Sequence, residues 1–123
     1  MTKIVYESAM RLAQAIRTRS LSSSEVVSAH LEQIEKENHR LNAVVQIAAD
    51  VARKEADQAI ARGHNWGPLH GVPVTIKDGW EIKGIISSAG TAGRASFVPD
   101  EDATVVARVR AAGAIVLGKT NVP

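Results

Sequence analysis

The sequence predicts an α/β chain, with helices first and the start of a helix-flanked sheet after them. Three observations point that way. Apolar residues recur at helical spacing through the first half. In the second half, two short apolar runs rich in β-branched residues, 72–76 and 114–117, bracket a helix-like stretch. Aromatics make up only 3% of a chain that is 45% hydrophobic. The core is therefore built from Ala, Val, Ile and Leu, which suits helices packed on a sheet better than an aromatic-rich β-sandwich.

Residues 7–17 read as a helix with Leu12, Ala13 and Ile16 on one face. Ser22-Ser23-Ser24-Glu25 is a capping box, with Ser22 at the N-cap and Glu25 reaching back. The other two serines are assigned to the same capping. Val27, Leu31 and Ile34 continue at helical spacing, and Glu32 and Lys36 stand four apart in the supportive orientation. Asn38-His39-Arg40 ends this helix. Residues 41–47 are short, apolar and β-branched, so a strand is expected. Residues 48–62 return to helix, with Asp50 early, Arg62 late and Gly63 as the stop. A turn-rich patch at 63–67 then separates a mainly helical part, 1–66, from an α/β part, 67–123.

The run 72–76 is the first strand of that part. Residues 79–99 hold four glycines and read as loop, with a short strand at Ile85-Ile86. Asp100 or Asp102 is expected to cap a helix carrying Val105, Val106 and Val109, which Gly113 stops. Residues 114–117 form the second strand. The two strands are expected to be parallel and buried on both faces, as in a βαβ unit. Gly118-Lys119-Thr120-Asn121-Val122-Pro123 reads as a loop start. Two parallel strands and one crossover helix leave sheet edges unpaired, so the sequence is expected to be an interrupted domain.

Composition narrows the function classes. Fifteen Lys and Arg against thirteen Asp and Glu give a net charge of +2 with the signs interspersed. No basic run marks a nucleic-acid or membrane footprint, and the few aromatics argue against a stacking platform for single strands. The absence of cysteine excludes disulfides, thiolate chemistry and zinc–cysteine sites. The N-terminus lacks the apolar run of a signal peptide, and no stretch is apolar enough to span a bilayer. A cytoplasmic protein is expected.

Three motifs invite a function and fail on context. Residues 113–120 match the phosphate-loop pattern G-x-x-x-x-G-K-[ST]. A phosphate loop follows a strand and opens a helix; here a helix precedes Gly113 and the intervening apolar residues are themselves the strand. Lys119 and Thr120 are read instead as structural loop residues. Gly90 and Gly93 lack the third glycine of a dinucleotide loop. The histidines, His30, His39, His64 and His70, show no i, i+2 or i, i+4 pairing for a metal. His70, near the 72–76 strand, has two readings, lining a site or packing, and packing is preferred.

Lys77 is the residue with the strongest chemical signal. It closes the strand 72–76 and is expected to stand half out of water. Partial burial disfavours an ammonium form, the condition under which a lysine acts as a base near neutral pH. A Ser–Lys pair is an accepted form of nucleophilic catalysis, and Ser87-Ser88 is the serine pair nearest to Lys77 in sequence. Ser88 is a minor candidate nucleophile, because serines in glycine-rich loops more often bond their own backbone.

Residues 67–78, Ser88-Ala89-Gly90-Thr91, Phe97-Val98-Pro99-Asp100, Asp102-Ala103-Thr104-Val105-Val106 and 111–121 occur in this order. Together they resemble the N-terminal part of the amidase signature family. Leu21-Ser22-Ser23, Leu31, Ile34 and Leu41-Asn42-Ala43-Val44-Val45 are similar to the family's opening, so the resemblance covers nearly the whole chain. It implies a large α/β domain with a mixed, largely parallel sheet between helices, of which residues 1–123 form an N-terminal fragment. It also implies hydrolysis or transfer of carboxamide groups by a Ser–cis-Ser–Lys set, with no cofactor and no metal. Lys77 matches the catalytic lysine, and Asp78 is implied to orient the local loop.

Two departures stand out. The glycine- and serine-rich signature with both catalytic serines is absent, and Ser87-Ser88 does not match it. In addition, Gly79-Trp80 follows Lys77-Asp78 where many relatives carry asparagine next. The isolated chain is therefore expected to be inactive. Its expected partners are a small-molecule amide and either a second copy of the chain or the remainder of the domain. Two alternatives are the amidase subunit of a transfer-RNA-dependent amidotransferase, and a truncated, non-catalytic interaction module.

Overall fold

In the computed structural model, which describes residues 3–62 and 67–123, strand β3 (Ile115–Thr120) is the middle of a three-stranded sheet. The other strands are β1 (Val44–Ile47) and β2 (Pro73–Lys77), in the order β1-β3-β2. β2 runs parallel to β3, as expected, and β1 runs antiparallel to it. Helices α1 (Ala9–Arg17), α2 (Ser23–Leu41), α3 (Ala49–Arg62) and α4 (Thr104–Ala111) flank the sheet. The expected helix stop at Gly63, most of the turn patch that begins there and His64 lie outside the described residues.

The period-two alternation of β3 explains the layers. Ile115 and Leu117 face α2 and α3, where they meet Val27, Leu31, Ala52 and Ala56. Val116 faces the other way, onto Val106 of α4 and Ile82. A third cluster joins Leu12, Ala13 and Ile16 of α1 to Val26 and Val72. Ser22 caps α2 as expected, accepting from the Glu25 N–H at 3.1 Å. Its neighbours do other work. Ser23 is buried and donates to the Gly71 carbonyl at 2.7 Å, and Ser24 donates to Asp57 at 2.6 Å.

Strand β1 starts three residues later than expected, because α2 runs on to Leu41 and turns at Asn42, whose φ is 48°. The Asn38 side chain guides the exchange. Its amide donates to the Val44 carbonyl and accepts from the Val44 N–H, both at 2.8 Å, as a neighbouring strand would.

Four expectations are corrected. Gly118, Lys119 and Thr120 belong to β3, not to a loop, because β1 and β2 offer ladder partners on both sides. β2 is not buried on both faces: Thr75 and Lys77 are exposed, since α2 and α3 pack over β3 and β2 stands at the sheet edge. Ile85-Ile86 forms no strand. Local propensity finds no ladder there, and Ile85 N–H bonds back to Ile82 in a turn. Neither aspartate caps α4, whose N-cap is Ala103 without a side-chain bond. The Asp102 carboxylate instead accepts from Lys83 N–H at 2.8 Å and lies 3.4 Å from Arg110 Nε.

Gly118 sits where β1 crosses closest. A Cβ there would stand 2.1 Å from the Gln46 carbonyl oxygen. Gly118→Ala is therefore expected to push β1 off the sheet and destabilise the protein by about 2–4 kcal/mol. Urea unfolding measures it; a change under about 0.5 kcal/mol contradicts this packing.

Candidate active site

The site is built at the end of β2. Lys77 is its last residue, in register with Thr120 of β3. The ladder continues one step further, because Asp78 N–H donates to the Thr120 carbonyl at 2.9 Å. The chain then turns sharply, with Trp80 N–H bonded to the Lys77 carbonyl at 3.0 Å. The backbone of Lys77 is thus fixed on both sides. Its side chain is exposed among the described residues, not half-covered as the sequence suggests.

Beneath this strand end lies a buried polar cluster centred on Lys119, a residue with 0% exposure. An ammonium group carries three protons, and three oxygens take them. Lys119 Nζ donates to the Asp78 carbonyl at 3.3 Å, to Ser87 Oγ at 2.7 Å and to the Trp80 carbonyl. Asp78 Oδ1 stands 3.1 Å away as the counter-charge. A buried cation costs several kcal/mol unless it is paired and hydrogen-bonded, and here it is both.

The two serines are fully engaged. Ser87 Oγ donates to the Ile85 carbonyl at 3.1 Å and accepts from Ile82 N–H and from Lys119, which exhausts a hydroxyl's capacity. Ser88 Oγ donates to Asp78 Oδ2 at 2.7 Å and accepts from Gly90 N–H at 3.2 Å. Ser88 opens a tight turn in which Ala89 and Gly90 have φ of 53° and 72°, and Thr91 N–H closes back on the Ser88 carbonyl. Two consecutive left-handed residues make this a mirror-image turn.

Burial pushes the Asp78 carboxyl up, but the Ser88 hydrogen bond, the adjacent Lys119 ammonium and the Gly90 N–H together hold it below the usual carboxylate range. The Ser88–Asp78 contact ties the Ser88 turn to the loop that follows Lys77.

His70 lies in the turn before β2, at the far end of the strand from Lys77. There it lines a cleft of about 420 Å³ between α1, the start of α2 and Pro68. Lys77 and the Lys119 cluster do not line this cleft. Among the described residues no group of acidic or histidine side chains could hold a metal ion. Lys119 and Ser87 are the residues that sequence reasoning misses. The available signal is a lysine extending an apolar, β-branched run that is paired, strand to strand, with the run ending at Lys77-Asp78.

Residues 25–123 match the family model described as Amidase. The chain is 36% identical over 124 residues to a subunit of the glutamyl-tRNA(Gln) amidotransferase of Acidothermus cellulolyticus, covering 98% of this chain and 25% of that protein. It is 41% identical over 119 residues to indoleacetamide hydrolase of Bradyrhizobium diazoefficiens, covering 94% of this chain and 23% of that one. Among solved structures, the peptide amidase of Stenotrophomonas maltophilia superposes with a TM-score of 0.86 at 36% identity, covering 94% of this chain and 25% of the other. The chain thus spans about a quarter of the length of these relatives.

The cluster makes stability depend on acid. Because folding lowers the Asp78 carboxyl, its contribution is complete above the unfolded carboxylate value of about 4 and is lost as pH falls through the folded value. Asp78→Asn, which leaves Lys119 buried without a counter-charge, is expected to cost about 3–5 kcal/mol at neutral pH. It should also flatten the fall in stability below about pH 4. Denaturant titrations from pH 2 to pH 8 read both effects; parallel curves for the two proteins contradict the assignment.

Proposed function

The chain belongs to the amidase family, and we propose that it is the N-terminal part of one amide-hydrolase domain, with Lys77 as the base of a Ser–cis-Ser–Lys set. The observation that carries this reading is Lys77 itself: an amine free to reach outward from a strand end whose backbone is tied down at Thr120 and Trp80. Rigid backbone with a reactive group projecting from it is what oriented catalysis needs.

In this reading Lys77 accepts a proton from a bridging serine, which takes one from the nucleophilic serine. That serine attacks the carboxamide carbon, the C–N bond breaks, and ammonia or an amine leaves with a proton returned along the same relay. Water then cleaves the acyl-enzyme ester. Backbone N–H groups of a glycine-rich segment hold the oxyanion. Neither serine is assigned to this chain, because Ser87 and Ser88 are committed to Lys119 and Asp78. Asp78 serves Lys77 by fixing the loop that follows it. The reading includes a small-molecule amide substrate, no cofactor and a cytoplasmic setting. No described helix is long and apolar enough to cross a membrane.

A second reading rests on the relative from an amidotransferase, matched over 98% of this chain. In it the same set frees ammonia from glutamine for a transfer reaction within a complex. Glutamine-dependent ammonia release that requires co-purifying proteins distinguishes it.

In the full-length protein, Lys77→Ala is expected to lower kcat/KM for a primary amide by at least about 10³-fold, as loss of a unit of such a set does. The isolated 123-residue chain is expected to release no ammonia. Undiminished hydrolysis by Lys77→Ala contradicts the reading, as does turnover by the isolated chain that Ser88→Ala abolishes.

A further inference from the structure

We propose that Lys119 is a positioning residue for Lys77: its buried ammonium clamps the turn that follows β2 and so fixes the direction in which the Lys77 amine is presented. This deepens the amide-hydrolase reading and rests on it. The two lysines lie on different faces of the sheet. Lys119 is in register with Ile76, and alternation along β2 turns Lys77 to the face opposite Ile76. Lys119 therefore acts through the backbone and not by contact with the reacting atoms.

Three features give the clamp its reach. Its acceptors come from residues 78, 80 and 87, so one group ties the first and third residues after Lys77 to a loop ten positions further on. Its counter-charge, Asp78, is the residue directly after Lys77 and is itself bonded to Ser88. Its own anchor is the central strand, which is laddered on both sides. Release of the ammonium frees the Asp78 and Trp80 carbonyls together, and the turn that ends β2 loses its fixed geometry.

The cluster also uses its charge where an apolar residue would pack. Past the register shift between Val74 and Thr75, Lys119 pairs with Ile76, which packs against the apolar layer of Ile82, Val106 and Val116; methionine has nearly the length and volume of lysine. A purely space-filling role is met by methionine; a clamp is not.

The test uses the full-length protein with a primary amide substrate. Lys119→Met is expected to lower kcat at least about 30-fold while KM changes less than about threefold, with the loss corrected for the folded fraction. The double variant Lys119→Met with Asp78→Asn is expected to be no slower than the slower single variant, since both dismantle one clamp. Should Lys119→Met fail to fold, Ser87→Ala removes one acceptor and leaves the ion pair. That variant is expected to speed hydrogen exchange at the Asp78–Trp80 amides at least about tenfold and to lower kcat about fivefold. Full kcat in folded Lys119→Met, additive losses in the double variant, or unchanged kcat and exchange in Ser87→Ala overturn the proposal. If Lys77→Ala hydrolyses the amide as fast as the unmodified protein, the amide-hydrolase reading falls instead. The exchange rates then still report whether the clamp holds the turn.

Discussion

A lysine with no exposed surface sets the terms for everything around it. Lys119 lies in the middle strand, where its charge has no route to water, and its burial is tolerable only if every proton finds an oxygen and a counter-charge stands near. The chain meets both conditions by bringing back a loop some forty residues earlier in sequence. The Asp78 and Trp80 carbonyls, the Ser87 hydroxyl and the Asp78 carboxylate converge on one nitrogen. The end of β2 and the Ser88 turn are consequences of that convergence, and the exposed Lys77 amine stands on the result.

The apolar layers and this polar cluster divide the labour. Burial of the aliphatic side chains of α2, α3 and β3 supplies non-directional stabilisation. The cluster supplies direction, since hydrogen bonds to a charged group have narrow geometry and leave few alternatives. Gly118 belongs to the same logic: only a residue without a Cβ lets β1 close on β3 at Gln46, one position before Lys119.

Local physics is legible in the sequence. Helical spacing and the Ser22 cap place α1 and α2, and two β-branched runs place β2 and β3 and their parallel pairing. What is not legible is non-local. Sequence periodicity cannot say that β3 slots between β1 and β2, and a lysine after an apolar run reads as the end of burial unless its distant partners are known. Asp102 looks like a helix cap because its competing donors, Lys83 N–H and Arg110, come from elsewhere in the fold. Lys77 and Asp78 stand out because strand end, charge and family pattern coincide at one place. Lys119 does not, because its phosphate-loop pattern fails on context and the remaining signal, a lysine extending an apolar run, is read only once the strand pairing is known.

Lys77 is proposed to serve a serine nucleophile carried by sequence beyond these residues. The most direct measurement is to quench the full-length protein during turnover of an amide and locate the acyl group by peptide mass spectrometry. An acylated serine outside residues 1–123 is expected, present in the unmodified protein and missing in Lys77→Ala. An acyl group on Ser88, or one that accumulates equally without Lys77, would contradict it.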